Sequence, residues 1–361
     1  MSRELMPSRA LGERWPNLIP VGGHPSVDMP QHVVEAAARA AERAPYAPTL
    51  GLPALREAIA EQMTAELGHA VDPERNVLVT LGGMQGLYLA ARAFGARAVS
   101  HAPSFFFPQL IRAASGTCIA TGGGESAPDW QAFESALSPE TTLAIVNTPV
   151  NPTGYVFRPA DLDALAHTMT RTDALLLSDE AYFGLVYDGL EHLSPASHPE
   201  LAERTLVLRS CSKTHGMAAW RVGYAVGPSA AIAVMAQELQ WQALAIDGVA
   251  QAAAHAALTG PQGWIAEAIG ELGAARAPAI AAANAAGLAC TIPEACAFAW
   301  VTCEGDEDAA SDQLAREFGI PAVAGRHFGA RTPHLRIPIG GRREARTRLL
   351  EALARFGRRA R

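Results

Sequence analysis

An alternation of short apolar runs and helical repeats between residues 77 and 226 restricts this chain more than any other feature. Runs at 77–80, 98–100, 117–120, 143–146, 174–178, 206–210 and 222–226 read as strands. Helical periodicity at 85–94, 108–115, 129–137 and 161–169 separates several of them. Repeated β-α units at this spacing predict an α/β fold, with a largely parallel sheet covered by helices on both faces. Right-handed crossovers then bring the loops at the strand C-termini to one edge, where open sheets of this kind bind ligands.

The flanks are different. A helix is predicted at 31–43, and Pro53 opens a second whose stripe is Ala54, Leu55, Ala58, Ile59, Met63 and Leu67. Long helices are predicted from 229, with a break at Gly260-Pro261 and an alanine-rich helix over 265–286. A small α+β unit follows: strands at 297–302, 321–323 and 335–339, a helix at 309–318 and another from 343. With 361 residues, two domains are expected. The division is an arm and part of a small domain over 1–44, a large domain over 45–254, and the rest of the small domain over 255–361.

Composition narrows the function classes. Charged residues make up 18% and apolar residues 49%, with a net charge of -7 and no basic footprint for nucleic acid or anionic lipid. No stretch offers the roughly 18 unbroken apolar residues of a spanning helix, and the first residues carry no secretion signal. The five cysteines match no zinc spacing. A reducing cytoplasm is the expected location.

Lys213 is the only lysine in the chain. Arginine replaces lysine well as a surface charge, but it does not form an imine with an aldehyde. A lone lysine therefore suggests a need for a primary amine. Composition alone leaves that need and the chance survival of one lysine in an arginine-rich chain equally open.

The strand ends carry polar and glycine-rich loops. Gly82-Gly83-Met84 precedes a helix and exposes amide N–H groups suited to an anion. Phe105 follows the next strand, where an aromatic ring can cover a flat cofactor or simply join the core. Asn151, held extended before Pro152, offers an amide. Asp179 and Tyr182 end another strand, and Ser210, Ser212 and Lys213 end the next, with Arg221 just beyond. Gly122-Gly123-Gly124 reads as a plain loop. Each piece also has a structural explanation. Together they suit a phosphorylated aldehyde built on a pyridine ring. No Walker motif, metal-ligand cluster or G-x-S-x-G elbow competes with that reading.

In order and spacing, these segments resemble the class I/II aminotransferases, the fold-type-I pyridoxal-phosphate enzymes, over nearly the whole chain. Gly23-His24-Pro25, Tyr46, the run from Gly51 to Ala60, Asn151-Pro152-Thr153-Gly154, Ser210-x-Ser212-Lys213, the segment from Val323 to Gly329 and Leu335-Arg336-Ile337 extend the likeness. The resemblance implies a mostly parallel seven-stranded sheet and a smaller α+β domain. It implies Lys213 as the amine that holds pyridoxal 5'-phosphate covalently and then moves protons. Asp179 would face the ring nitrogen, Asn151 and Tyr182 the ring oxygen, and Phe105 the ring face.

Ser210, Ser212, Arg221 and the amides of Gly82, Gly83 and Met84 would hold the phosphate, joined by Tyr46 of a second copy in a homodimer. Arg336, Asn151 and the Gly23 backbone would hold the substrate carboxylate. Met84 departs from the family's usual hydroxyl, Ala219 from a frequent glycine and His215 from a frequent aromatic. The implied reaction is transfer of an amino group between an L-amino acid and a 2-oxo acid. A lyase, cyclase or oxidase acting through the same carbanion is the alternative.

Overall fold

The computed structural model describes residues 6–43, 46–122 and 126–359. Gly123 and Gly124 of the glycine loop and the first five residues of the arm lie outside the described residues.

Ten strands form two sheets. The larger contains β1 (Val77–Thr80), β2 (Arg97–His101), β3 (Thr117–Thr121), β4 (Leu143–Asn147), β5 (Leu175–Asp179), β6 (Thr205–Ser210) and β7 (Gly223–Val226). Their order is β1-β7-β6-β5-β4-β2-β3. Strands β3, β2, β4, β5 and β6 run parallel, whereas β7 is antiparallel to both β6 and β1. β6 and β7 are linked by a short connection that returns on the same edge, so no crossover helix intervenes. This is the mostly parallel seven-stranded sheet that the resemblance implied.

β4, β5 and β6 are apolar runs, covered on both faces as central parallel strands must be. Each ends in a polar residue: Asn147, Asp179 and Ser210. Asn147 pairs with Asp179 in the ladder, and Gly223 pairs with Ser210 on one side and Thr80 on the other. The sheet thus delivers five chain segments to one edge at nearly one level.

The smaller sheet is antiparallel, in the order β8 (Phe298–Thr302), β10 (His334–Pro338), β9 (Val323–Ala324). Its core includes Val301, Leu335, Ile337, Leu349 and Ala352, and Ile19 from the arm packs into it. Gly22 pairs with Gly340 as an isolated bridge, tying the arm to the end of β10. The helix Gln31–Ala41 packs instead into the main core, through Val33 and Ala37. Among the described residues, no helix is long and apolar enough to cross a membrane.

Three local expectations change. The helix predicted to start at 85 begins at Gly82, because the glycines supply its first turn. The helical stretch from 229 divides into Ser229–Ala243 and Gly248–Thr259, where Leu244 takes a positive φ. The helix expected over 309–318 is Glu307–Gln313 continued by a π turn, Leu314–Phe318, which closes on the left-handed Gly319.

Beneath the binding edge lies a buried charge network. Arg209 and Glu180 are both fully buried. Arg209 donates to Glu180 Oε2 at 2.8 and 3.0 Å and to both oxygens of Glu66, and it lies over the Phe183 ring at 4.2 Å. Ser178 and Ser194 donate to the other Glu180 oxygen. Burial alone would push the Glu66 carboxyl up, but Arg209 and His192 hold it down at about 2. Glu66, Glu180 and His192 could by type ligate a metal ion, but the guanidinium already supplies the cation there.

Candidate active site

Lys213 sits in a single helical turn, Cys211–Thr214, that begins as β6 ends. Ser210 caps the turn: its hydroxyl accepts from the Ser212 N–H at 3.1 Å and donates to Ser212 Oγ at 2.8 Å. The Lys213 amine lies 5.6 Å from the centre of the Tyr182 ring. Burial pushes its pKa down to about 8, and the Arg336 and Arg221 charges push the same way. The amine is thereby poised as a nucleophile near neutral pH.

Gly82, Gly83 and Met84 form the first turn of the helix Gly82–Phe94, which leaves amide N–H groups and the positive end of the dipole facing the binding edge. The Arg221 guanidinium closes this cradle. It donates to Ser212 Oγ at 3.4 Å and to the Ala218 carbonyl at 2.9 Å. A Cβ on Gly82 would stand 2.5 Å from Arg221 Nη2, and Gly82 has a φ of +69°. A side chain there would displace the arginine and strain the backbone. Hydroxyls, amides and a guanidinium make a donor set that fits a phosphate group.

Asp179 is buried at the end of β5, with Oδ1 accepting from the Ala181 N–H at 3.1 Å. Burial pushes its carboxyl up to about 7, and neighbouring Glu180 adds to this; the Ala181 bond and the Lys213 charge oppose it. A protonated ring nitrogen placed against Asp179 would supply the missing cation and restore ionisation.

Arg336, on β10, is buried as well. Its Nη1 donates to Asn151 Oδ1 at 3.0 Å, while its Nε has no partner. Among the described residues, Arg336 forms no ion pair. Its guanidinium lies 4.3 Å from the Phe298 ring centre, 4.7 Å from Phe328 and 5.8 Å from Phe106. Burial lowers its pKa to about 10. An unneutralised, buried guanidinium with a vacant donor suits a carboxylate. Gly23 abuts Tyr182 and Phe298, so closely that a Cβ would stand 2.4 Å from the Phe298 ring.

The structure therefore gathers Gly23, Gly82, Gly83, Met84, Asn151, Asp179, Tyr182, Ser210, Ser212, Lys213, Arg221 and Arg336 around one edge. Phe105 lies in the loop after β2, half-buried against Phe106 with ring centres 4.9 Å apart. Tyr46 stands apart, 87% exposed. Sequence reasoning gave no role to Asn147, Phe298 or Phe328. Asn147 ends an apolar strand as Asp179 does, and that shared pattern was its only signal.

A family profile described as aminotransferase class I and II matches residues 22–353. The chain belongs to this aminotransferase family. The aspartate/prephenate aminotransferase of Thermus thermophilus is 38% identical to it over 246 residues, spanning 66% of this chain but 63% of that enzyme's length. The aspartate/prephenate aminotransferase of Cereibacter sphaeroides is 32% identical and covers 97% of this chain and 92% of its own. The solved Thermus thermophilus aspartate aminotransferase with maleate superposes with a TM-score of 0.90 at 31% identity, covering 98% of this chain and 97% of its own.

Membership makes pyridoxal 5'-phosphate the cofactor of this aminotransferase. The phosphate cradle, the buried acid and the single amine described above fit that molecule.

One consequence concerns pH. Capture of free cofactor requires the neutral amine of Lys213. With a pKa of about 8, roughly a tenth of it is neutral at pH 7, against roughly three in ten thousand for an ordinary lysine. The capture rate of the cofactor-free aminotransferase should rise about tenfold per pH unit below 8 and level off by about pH 9. Stopped-flow absorbance reads it; a midpoint above about 10 would show that the amine is not perturbed.

Proposed function

We propose that this aminotransferase moves an amino group between an L-amino acid and a 2-oxo acid, with Lys213 as the covalent anchor and proton carrier. The observation that carries the reading is electrostatic. Lys213, Arg221 and Arg336 converge on one edge with no carboxylate ion-paired to any of them among the described residues, and a lone buried acid, Asp179, stands with them. A ligand with an aldehyde, a phosphate, a protonatable ring nitrogen and a bound carboxylate answers all four: the aldehyde would take up the amine, and the other three would pair with Arg221, Asp179 and Arg336.

When bound, the cofactor supplies an electron sink for the substrate's Cα–H electrons. The residues do the rest. Arg336, seated by Asn151, holds the substrate carboxylate and fixes Cα near the Lys213 amine. The amine, neutral in useful amounts near pH 7, would take the proton from Cα and return it on the far side of the amino nitrogen, two atoms away. Asp179 keeps the ring nitrogen protonated. Tyr182 and Asn151 would bond the ring oxygen, and Phe105 would restrain the ring face. Ser210, Ser212, Arg221 and the amides of Gly82, Gly83 and Met84 hold the phosphate.

The site is completed by a second copy in a homodimer. Tyr46, Leu81, Trp241 and Leu244 are exposed apolar side chains at 87%, 44%, 92% and 53%. Gln85, which accepts from the Leu81 N–H, donates to Gln242 at 3.5 Å, so Leu81 and the helix carrying Trp241 border the phosphate cradle. Apolar exposure of that kind is typical of covered interfaces. Tyr46 would reach the partner's phosphate. A cytoplasmic location agrees with five free cysteines.

The aromatic walls around Arg336 favour a substrate with an apolar or aromatic side chain. The test is a single-turnover panel of amino acids that includes aspartate, phenylalanine and methionine, followed by cofactor absorbance with products weighed by mass spectrometry. An amino donor should convert the cofactor to its amine form and release a 2-oxo acid, and a second 2-oxo acid should restore it. Release of ammonia, or turnover that needs no 2-oxo acid, would overturn the reading in favour of a lyase.

A further inference from the structure

Asn147 ends β4 with 1% of its surface exposed and makes three ordered contacts. Its side-chain amide donates to the Asp179 carbonyl at 2.8 Å. Its side-chain oxygen accepts from the Asn151 N–H at 2.7 Å. Its own N–H donates to His101 Nε2 at 3.0 Å, which fixes that ring nitrogen as an acceptor. Thr148, the next residue, also donates to the Asp179 carbonyl, at 3.0 Å. Asn151 in turn accepts from Arg336.

We propose that Asn147 is a positioning residue that couples the acid facing the cofactor ring to the arginine facing the substrate carboxylate, because its one amide group bonds the main chain of both Asp179 and Asn151. The inference rests on the aminotransferase reading above. Here the chain leaves the sheet, and after the Thr148 N–H bond to Asp179 the backbone makes no further bond to β5 among the described residues. The Asn147 side chain adds the link from β5 to the Asn151 N–H. It sets where the Asn151 amide points, and therefore the orientation of the Arg336 guanidinium. It also fixes the Asp179 backbone from which the carboxylate projects. Because all the groups are buried, none of these bonds can be exchanged for water without rearrangement.

The test compares Asn147→Ala with a matched control, Asn284→Ala. Asn284 bridges the Cys290 N–H and carbonyl at 2.8 and 3.1 Å on the surface, outside the site, so the same number of side-chain bonds is lost where water can replace them. Two quantities are read on each holoenzyme: the Kd of an unreactive carboxylate, maleate or 3-phenylpropanoate, and the pH midpoint of cofactor absorbance. Amide hydrogen exchange at Asn151 is read on the cofactor-free protein.

For Asn147→Ala we expect a Kd raised about tenfold or more, a displaced midpoint and faster exchange at Asn151. Asn284→Ala should stay within about twofold of the parent in Kd, with an unmoved midpoint. Asn147→Gly removes the amide with no added charge and, unlike alanine, leaves the segment free to readjust. It should raise the Kd and displace the midpoint as alanine does, and it serves as the test if the alanine variant does not fold. Unchanged Kd and midpoint in folded Asn147 variants, or equal changes in Asn284→Ala, would overturn the proposal. A parent protein that shows no carboxylate response at all would instead overturn the aminotransferase reading.

Discussion

Replacing Lys213 with alanine should leave a protein that still binds pyridoxal phosphate but carries none of it covalently. The phosphate cradle of Ser210, Ser212, Arg221 and the helix start at Gly82 does not involve the lysine side chain. What disappears is the only amine able to bond the aldehyde and to shuttle the proton. Loss of a nucleophile that is also the acid–base group should lower turnover by at least about 10³-fold. The covalent loss is checked by borohydride reduction and intact-mass measurement. The parent should gain one cofactor per chain and the variant none. A variant with turnover within about tenfold of the parent would remove Lys213 from the mechanism.

The second large effect is expected at Asp179. Asparagine keeps the shape and the acceptor for the Ala181 N–H, but it cannot carry a charge. In the parent, burial pushes the carboxyl up to about 7, which makes it a strong acceptor for a proton or for a cation. Without that partner the ring nitrogen loses its proton near neutral pH, and the cofactor becomes a poor electron sink. Turnover of Asp179→Asn should fall roughly 10²–10³-fold, comparable to deleting one preorganised electrostatic contact in a dry site. The cofactor should remain attached through Lys213. The diagnostic measurement is cofactor absorbance against pH, which should lose the titration assigned to the ring nitrogen. Parent-like turnover would show that Asp179 does not face that atom.

Lys213 stood out because its residue type is unique in the chain, but that and the Gly82-Gly83 turn are each weak signals, and only their joint order with the other loops gave them a proposed role. Strand positions came through well because β4, β5 and β6 each contain at least three consecutive apolar residues. The reversed direction of β7 was not legible, since a short strand looks alike in either direction. Nor was the Arg209–Glu180–Glu66 network. Glu180 and Arg209 adjoin Asp179 and Ser210 in sequence, but their partners come from residues far along the chain, and no local pattern announces them. Asn147 was hidden differently. A polar residue after an apolar run reads as the end of a strand, and only the ladder pairing with Asp179 reveals what it bonds. Tyr46 matches a family motif yet faces solvent in a single copy, as a residue proposed to act across an interface would.

The reversal of β7 has one more effect. Because the chain turns straight back after β6, Lys213 and Arg221 ride on the same short arc, pinned at both ends to adjacent ladders. The cofactor's aldehyde carbon and its phosphorus keep a separation set by the ligand's own bonds. A protein that gripped these two groups from independently moving parts would have to re-find that spacing with every fluctuation. Here one arc between two paired strands carries both residues, so a ligand held by Lys213 and Arg221 would meet a spacing set by a single stretch of chain.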